Sequence, residues 1–526
     1  MSALKKHVAI TVVELEKSLS EKDLIIATQA KRIAILEEYV ALDKFKKYGA
    51  SSEKFPNQHE MFNEVELTVV AEEMLAESKQ QNDGKNRVDS PQNTSSKKPG
   101  RKSLPAHLPR VRIEHDVSET EKQCPCGCVR TLIGEEISEQ LDIIPAKIQV
   151  LVHVRKKYAC KRCEEGVEIA PLPPQPIPKS NASPGLLAHI AVSKYQDALP
   201  LYRQQAILQR SGVDIPRNTL ANWMIKAGEL LQPLLNVMEK QLLTYPVMHC
   251  DETVVQILKE PDKPPTSKSY MWIRVGGPPT QPIRLFHYAP SRSGSVVSEL
   301  LEGYQGYLQT DDYAGYNAVA ANKGVTQLGC WAHARRKFID AQKVTNNKIS
   351  KTKNTNKVSK ADMAISLIAK LYAIEKTIKE VDAETKQQIR QQQTVPQLQK
   401  IRIWLDKTLH STLPKGLLGK AISYLDKNWQ KLNVYTQDGR LSIDNNPAEN
   451  AIRPFVIGRK NWLFSASVNG AKASANIYSL IETAKANQLE PYQYLRHLFT
   501  ELPKLTTADQ IEALLPWNVK LQDGVC

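Results

Sequence analysis

The hydrophobic pattern of this chain changes period after Pro246, and that change limits the fold more than any other feature. Val247–Ile257 (VMHCDETVVQI), Ser269–Gly276 (SYMWIRVG) and Pro282–Ala289 (PIRLFHYA) are apolar, β-branched or aromatic runs divided by Pro, Gly, Ser and Lys. Such runs read as strands, and three in succession predict an antiparallel meander. A helix is expected near Gly294–Leu301, a strand over Tyr307–Asp312, a helix near Tyr316–Asn322, a strand over Val325–Cys330 and a helix from Ala332.

The order β-β-β-α-β-α-β-α is that of an RNase H-like domain, a mixed sheet flanked by helices. The predicted class is therefore multidomain α+β, with an RNase H-like core at 244–486. Residues 341–360 hold six lysines and no acid and predict a loop. About 362–430 is helical and looks inserted, giving a helical insertion at about 341–440. Residues 441–486 are expected to be helical, followed by a helical tail over 487–526.

Upstream of the core, four segments differ in composition. Val8, Val12, Leu15, Leu19, Lys22, Ile26, Gln29, Ile33, Leu36 and Val40 alternate by four and three, a heptad seam that predicts a coiled-coil helix within 1–48. An amphipathic helix packed on its own domain is the alternative. Residues 49–112 form a linker. Its end carries Lys97, Lys98, Arg101 and Lys102 around Pro99-Gly100, a basic arm able to lie along phosphates or to act as a soluble tether.

Over 113–170, Cys124-Pro125-Cys126-Gly127-Cys128 and Cys160-Lys161-Arg162-Cys163 flank a predicted strand, Ile148–Tyr158. Two such clusters predict a zinc ribbon, in which four thiolates enclose a structural zinc ion. Five cysteines are present for four positions, and which one is spare stays open. After five prolines in 171–178, the segment 171–243 is expected to be helical. Ser211-Gly212-Val213 separates a helix ending near Gln209 from one starting near Arg217, which fits a helix-turn-helix or an ordinary helical hairpin.

The formal net charge of +15 favours a polyanionic partner, nucleic acid first. No run of 18 apolar residues is present, so no membrane partner or span is expected. The N-terminus shows no signal-peptide pattern, and the crowding of cysteines is unlike a disulfide scaffold. A cytoplasmic location is expected, with association to the nucleoid when bound to DNA.

Three acids stand out. Asp251 sits in an apolar strand, where a carboxylate is costly unless paired or metal-bound. Asp311 and Asp312 end a later strand, and Glu449 follows Asn445-Asn446-Pro447, a helix start. A helix laid across the sheet would bring Glu449 opposite the aspartates. Carboxylates so gathered suit Mg²⁺ or Mn²⁺, and two ions clamp the attacking and leaving oxygens of a phosphodiester displacement.

The motifs carry further. Lys47–Lys54 (KYGASSEK), Leu104–Arg110 (LPAHLPR), Gly134–Leu141 (GEEISEQL), His249–Thr253, Gln309–Tyr316, Cys330–Phe338 (CWAHARRKF), Asp444–Phe464 and Ser479–Lys485 occur in this order. With them the chain resembles the DDE transposases of bacterial insertion sequences, family sixty-six, over nearly its whole length. The resemblance implies that Asp251, Asp311 and Glu449 are the catalytic acids, holding two Mg²⁺ or Mn²⁺ ions. It implies double-stranded DNA partners (element ends and target), self-association, and small accessory proteins from the same element. Arg335, Arg336, Lys337, Arg453, Arg459 and Lys460 are then candidates for phosphate contacts. Trp331 or Trp462 is a candidate for stacking on an unpaired base, with core packing the favoured alternative. Two positions depart from the family: Asp312 stands where Gly is common, and Asn450 where many relatives have Arg.

Overall fold

The computed structural model describes residues 22–30, 32–37, 40, 125, 148–159, 167–349 and 359–521. The chain divides into two compact units, 83–171 and the remainder. The described residues of 22–37 are helical, and Ile26, Ile33, Leu36 and Val40 of the heptad seam are each more than half exposed.

In the smaller unit, β1 (Lys157–Ala159) pairs antiparallel with β2 (Val167–Ile169), in the register Lys157↔Ile169. The side chain of Arg155 donates to the carbonyl of Ala170 across this hairpin. The strand expected from Ile148 is thus corrected to three residues. Val150, Val152 and Val154 are exposed, and no neighbouring strand is described that would take their backbone groups. The residues between the two strands include Cys160 and Cys163. These, the first cysteine cluster and the basic arm of Lys97, Lys98, Arg101 and Lys102 lie outside the described residues.

The larger unit begins with four helices: α1 (Pro184–Tyr195), α2 (Leu201–Arg210), α3 (Arg217–Leu230) and α4 (Gln232–Leu243). The hydroxyl of Ser183 caps α1 by accepting from Leu186 N at 3.1 Å. Gly212, at φ +79°, makes the turn after α2, a conformation that favours glycine. The sheet then forms from β3 (Val247–Lys259), β4 (Lys268–Gly276) and β5 (Ile283–Ala289), followed by α5 (Gly294–Leu300), β6 (Gly306–Gln309), α6 (Asn317–Ala320) and β7 (Val325–Leu328).

Strand order is β5-β4-β3-β6-β7. The first three strands are antiparallel neighbours, and β6 and β7 run parallel to β3. The hairpin-connected runs thus form one half of the sheet, and the helix-connected ones the other, as connection length requires.

Next come α7 (Trp331–Ile349), α8 (Lys360–Thr377), α9 (Ala383–Ile389), α10 (Val395–Leu409), α11 (Leu417–Lys427) and α12 (Trp429–Asn433). Helices α8 to α12 fall within 341–440, the stretch expected to be helical. Its basic stretch is corrected in part: α7 continues through Ile349 where a loop was expected from 341, because Phe338, Ala341 and Val344 remain buried on one side. The chain returns through α13 (Asn446–Trp462), β8 (Ser465–Ser467), α14 (Val468–Ala486), α15 (Pro491–Glu501) and α16 (Ala508–Glu512). Strand β8 was not expected. It is only Ser-Ala-Ser, too short and too polar to show a period, yet it pairs with β3 through Ile257↔Ser465 and Lys259↔Ser467.

One hydrophobic core joins α1, α3 and α4 to the sheet and to α13, α14 and α15. A second, built from Leu328, Trp331, Phe338, Ile368, Leu371, Leu405, Leu425 and Tyr435, joins β7 and α7 to the helices that follow. Helix α14 covers the outer edge of β5. Phe286 N donates to Ser479 Oγ at 2.8 Å, and the Thr483 hydroxyl bonds both N and O of Arg284 at 3.0 Å. An edge so paired cannot add a foreign strand at those residues. No described helix is long and apolar enough to cross a membrane.

Candidate active site at the carboxyl ends of the parallel strands

The site follows from strand register. His249 on β3 is the partner of Gln309 on β6, and the strands are parallel. Two residues further along each chain lie Asp251 and Asp311, Asp311 just past the end of its strand. Neighbouring strands lie about 4.8 Å apart, so the two acids emerge side by side.

Alternation puts His249, Asp251 and Thr253 on one face of β3. Helix α13 lies along that face. His249 Nδ1 is 3.2 Å from Asn445 Oδ1, and Arg459 Nη1 donates to Thr253 Oγ1 at 3.1 Å. Asn445, the residue before α13, also donates from Nδ2 to Cys250 O at 2.8 Å and from its backbone N to Cys330 Sγ at 3.3 Å. Its side chain therefore holds the helix to the sheet, and Pro447 and the Asp444 carboxylate, which accepts from Asn446 N at 3.2 Å, begin the first turn. Glu449 stands in that turn, between the two tethers, and is turned inward at 7% exposure.

All three acids are shifted upward, with burial the largest cause for each. Burial raises Asp251 well above the usual carboxylate range, and the charges of Glu252, Glu449 and Asp311 add to the shift. Asp311 is raised by burial, against the opposing pull of Tyr313 N and Arg292. Glu449 is pushed up to about 7, chiefly by burial, with Asp444 and Asp311 adding to the rise and Arg336 and Arg453 opposing it. Glu449 Oε1 is buried and receives no hydrogen bond. Carboxylates in this condition are stabilised by a cation, and their hard oxygens fit Mg²⁺ or Mn²⁺.

Several neighbours gave no signal in the sequence. Glu252 points to the other face of β3, its side chain only 1% exposed, and is held by Arg292 and by Tyr316 OH at 3.0 Å. Arg292 comes from the turn after β5. It also lies 3.7 Å from Asp311 Oδ2 and stacks 3.7 Å from the centre of the Tyr313 ring. It thus links a buried acid on one side of the strand to a site acid at its end. Nothing local in Pro290-Ser291-Arg292-Ser293 marks that role. His333 was legible only as part of a longer motif; its Nδ1 is 3.7 Å from Glu449 Oε1.

The expected cations divide. Lys337 and Lys460 are exposed, and Lys337 lies over the Tyr424 ring at 4.6 Å. Arg336, Arg453 and Arg459 are half-buried around Glu449 and Thr253. Arg335 is interior, at 4% exposure, which removes it from direct reach of a solvent-borne phosphate. Trp331 is fully buried and donates to Leu432 O at 2.7 Å, while Trp462 packs on Phe455 with ring centres 5.4 Å apart; the core-packing alternative describes both.

Asp312 has φ +69°, a backbone region where glycine is at ease and a β-carbon is strained. Its carboxylate accepts from Asn428 Nδ2 at 2.9 Å and from Lys431 Nζ at 3.3 Å, so it faces the insertion.

The chain matches the Transposase IS66 family over residues 179–473, more than half of its length. It further matches the IS66 C-terminal element over 479–517, the zinc-finger binding domain of transposase IS66 over 121–164, and the Transposase C of IS166 homeodomain over 35–113. The class is therefore transposase, a DNA-processing protein with a zinc-binding segment. Two relatives come from Sinorhizobium fredii (strain NBRC 101917 / NGR234). The uncharacterized protein y4qI is 34% identical over 80% of this chain and 77% of its own, and the uncharacterized protein y4jD is 33% identical over 79% and 81%. The chain belongs to the transposase IS66 family.

Proposed function

We propose that this transposase binds the terminal inverted repeats of its element and catalyses strand cleavage and strand transfer at one site, formed by Asp251, Asp311 and Glu449. What supports this reading most is the register that sets Asp251 on β3 beside Asp311 just past β6, with Glu449 in the first turn of α13, a helix tethered along the His249–Thr253 face of β3. An RNase H-like core is supported by the sheet order, with three antiparallel strands and two more parallel to the first.

Two divalent ions, Mg²⁺ or Mn²⁺, when bound there would activate the attacking hydroxyl and stabilise the leaving oxygen. Asp251, Asp311 and Glu449 would hold these ions. Arg292 orients Asp311 through its second contact to the buried Glu252. Arg336, Arg453 and Arg459 hold phosphates next to the scissile bond, and Lys337 and Lys460 hold those further out. Water attacks the phosphodiester at the element end and frees a 3′-hydroxyl; that hydroxyl then attacks a target phosphodiester, joining its phosphorus and displacing the target's own 3′-oxygen, which leaves as a hydroxyl.

The remaining segments serve binding. Four of Cys124, Cys126, Cys128, Cys160 and Cys163 hold the structural zinc. The arm of Lys97, Lys98, Arg101 and Lys102 follows phosphates, and the α2–α3 hairpin contacts duplex DNA as a helix-turn-helix. The exposed seam of Ile26, Ile33, Leu36 and Val40 supports self-association. Small accessory proteins of the same element and a location at the nucleoid within the cytoplasm complete the reading.

A strand-transfer assay with pre-cut 3′ ends, Mg²⁺ and a plasmid target tests it. Joined product is expected. Cleavage of uncut ends without any joining would instead make the protein a nuclease.

A further inference from the structure

The same site carries ligands that Mg²⁺ does not use. Cys330, His333 and Glu449 each offer a ligand atom, and all three atoms lie within 4.8 Å of one another. We propose that Cys330, His333 and Glu449 bind one zinc-class divalent ion, which takes Glu449 away from the Mg²⁺ site and so arrests strand cleavage. The inhibitory half of this proposal rests on the transposase reading above; the binding half does not.

Geometry and ligand chemistry both point this way. Bonds of about 2.0–2.3 Å at tetrahedral angles give ligand–ligand edges of roughly 3.3–3.7 Å. His333 Nδ1 and Glu449 Oε1 stand 3.7 Å apart, and neither has a hydrogen-bond partner although both are buried. Two buried ligand atoms that face each other at this distance are an arrangement a cation satisfies. Cys330 and His333 are three residues apart at the start of α7 and so share a face. Cys330 Sγ is oriented by the backbone N–H of Asn445, at 3.3 Å. The remaining spacings close with a shift of about an ångström.

A thiol, an imidazole and a carboxylate form a borderline-soft set. It suits Zn²⁺ or Co²⁺ and does not attract Mg²⁺, which keeps to oxygen. On binding, the Cys330 proton passes to solvent and the sulfur binds as thiolate. His333 is about a quarter exposed, which leaves an entry path and a fourth position for water.

The test uses the full-length protein with its cysteine-rich segment already zinc-loaded, comparing wild type with C330S. The serine keeps an acceptor for Asn445 N, so the fold is retained. Titrated with Co²⁺, wild type should bind one equivalent more than C330S and show an added thiolate-to-cobalt absorption in the difference spectrum. Zinc inhibition of Mg²⁺-dependent end cleavage should weaken by at least about tenfold in C330S, since even an outer partner of a metal ligand is worth that much. Equal Co²⁺ stoichiometry, or equal zinc inhibition of the two proteins, overturns the proposal. Should neither protein cleave DNA while wild type alone takes up the extra Co²⁺, the metal site stands and the transposase reading is what fails.

Discussion

Asp251 and Glu252 are adjacent on one strand and face opposite ways. Glu252 is neutralised by Arg292 and hydrogen-bonded by Tyr316, a closed arrangement. Asp251 faces two further acids and has no such cation, an open one. The same alternation explains what the sequence could reveal. An acid in an apolar run was visible as an expense that needs a reason. The partners of this pair were not, because Arg292 lies 40 residues beyond Glu252 and Glu449 nearly 200 beyond Asp251. Asp312 makes a sharper case, since its left-handed backbone accounts for the family's glycine while its hydrogen bonds account for the aspartate here. D312G loses two tethers but relaxes the backbone; D312A loses the tethers and keeps the strain. Thermal or denaturant unfolding should place D312A below D312G by about 1 kcal/mol. The reverse order would mean that the left-handed backbone at this position carries no such cost.

Helix α13 is positioned from both ends of its approach. Asn445 fixes it to β3, and the insertion fixes the segment before it. Arg390, 1% exposed, bonds Glu375 through Nε and Nη2 at 2.9 and 2.7 Å. It also donates to the carbonyls of Tyr435, Asp438 and Leu441 at 2.8, 3.0 and 2.9 Å. Leu441 lies just upstream of Asp444 and α13, so one buried guanidinium ties the insertion to the entry of the Glu449 helix. R390A removes one partner of a buried pair and strands several carbonyls, which should cost about 3–5 kcal/mol. Cleavage should fall with stability while binding of end DNA persists, measured by gel shift and by melting. A variant as stable as wild type would show that the clamp is dispensable. The succession of strands along the chain was legible because the apolar and β-branched runs are distinct and the turns are rich in Pro and Gly. Strand β8 and the extension of α7 were not, since a three-residue strand has no period and a run of lysines hides a helix whose other face is buried.

The whole molecule brings a net charge of +15 to a polyanion, yet gathers acids at one place within it. That concentration has a thermodynamic signature. For an acid whose folded pKa lies above its unfolded one, the folded state keeps the proton longer, so stability falls as pH rises between the two values. For Glu449 that window runs from 4.5 to about 7. The cost is roughly 3 kcal/mol by pKa difference alone. Asp251, Asp311 and Glu252 are shifted in the same direction. Mg²⁺ relieves charge repulsion only once the acids are ionised. The rise in melting temperature on adding Mg²⁺ should therefore be larger at about pH 8 than at about pH 5. A Mg²⁺ effect independent of pH would separate the ion from these carboxylates. Cysteine clusters and motif order made the zinc-binding segment and the family readable. How the helices of 171–243 and the tail share one core with the sheet was not, because long-range packing leaves no local pattern.

The most direct measurement is Mg²⁺-dependent cleavage of element-end DNA by D251N beside wild type, with gel-shift binding as the control. Asparagine preserves the shape of the side chain and removes its charge. Cleavage should drop at least about a hundredfold while DNA binding is kept. D251N that cuts end DNA at close to the wild-type rate would contradict the claim that these three carboxylates are the reaction centre.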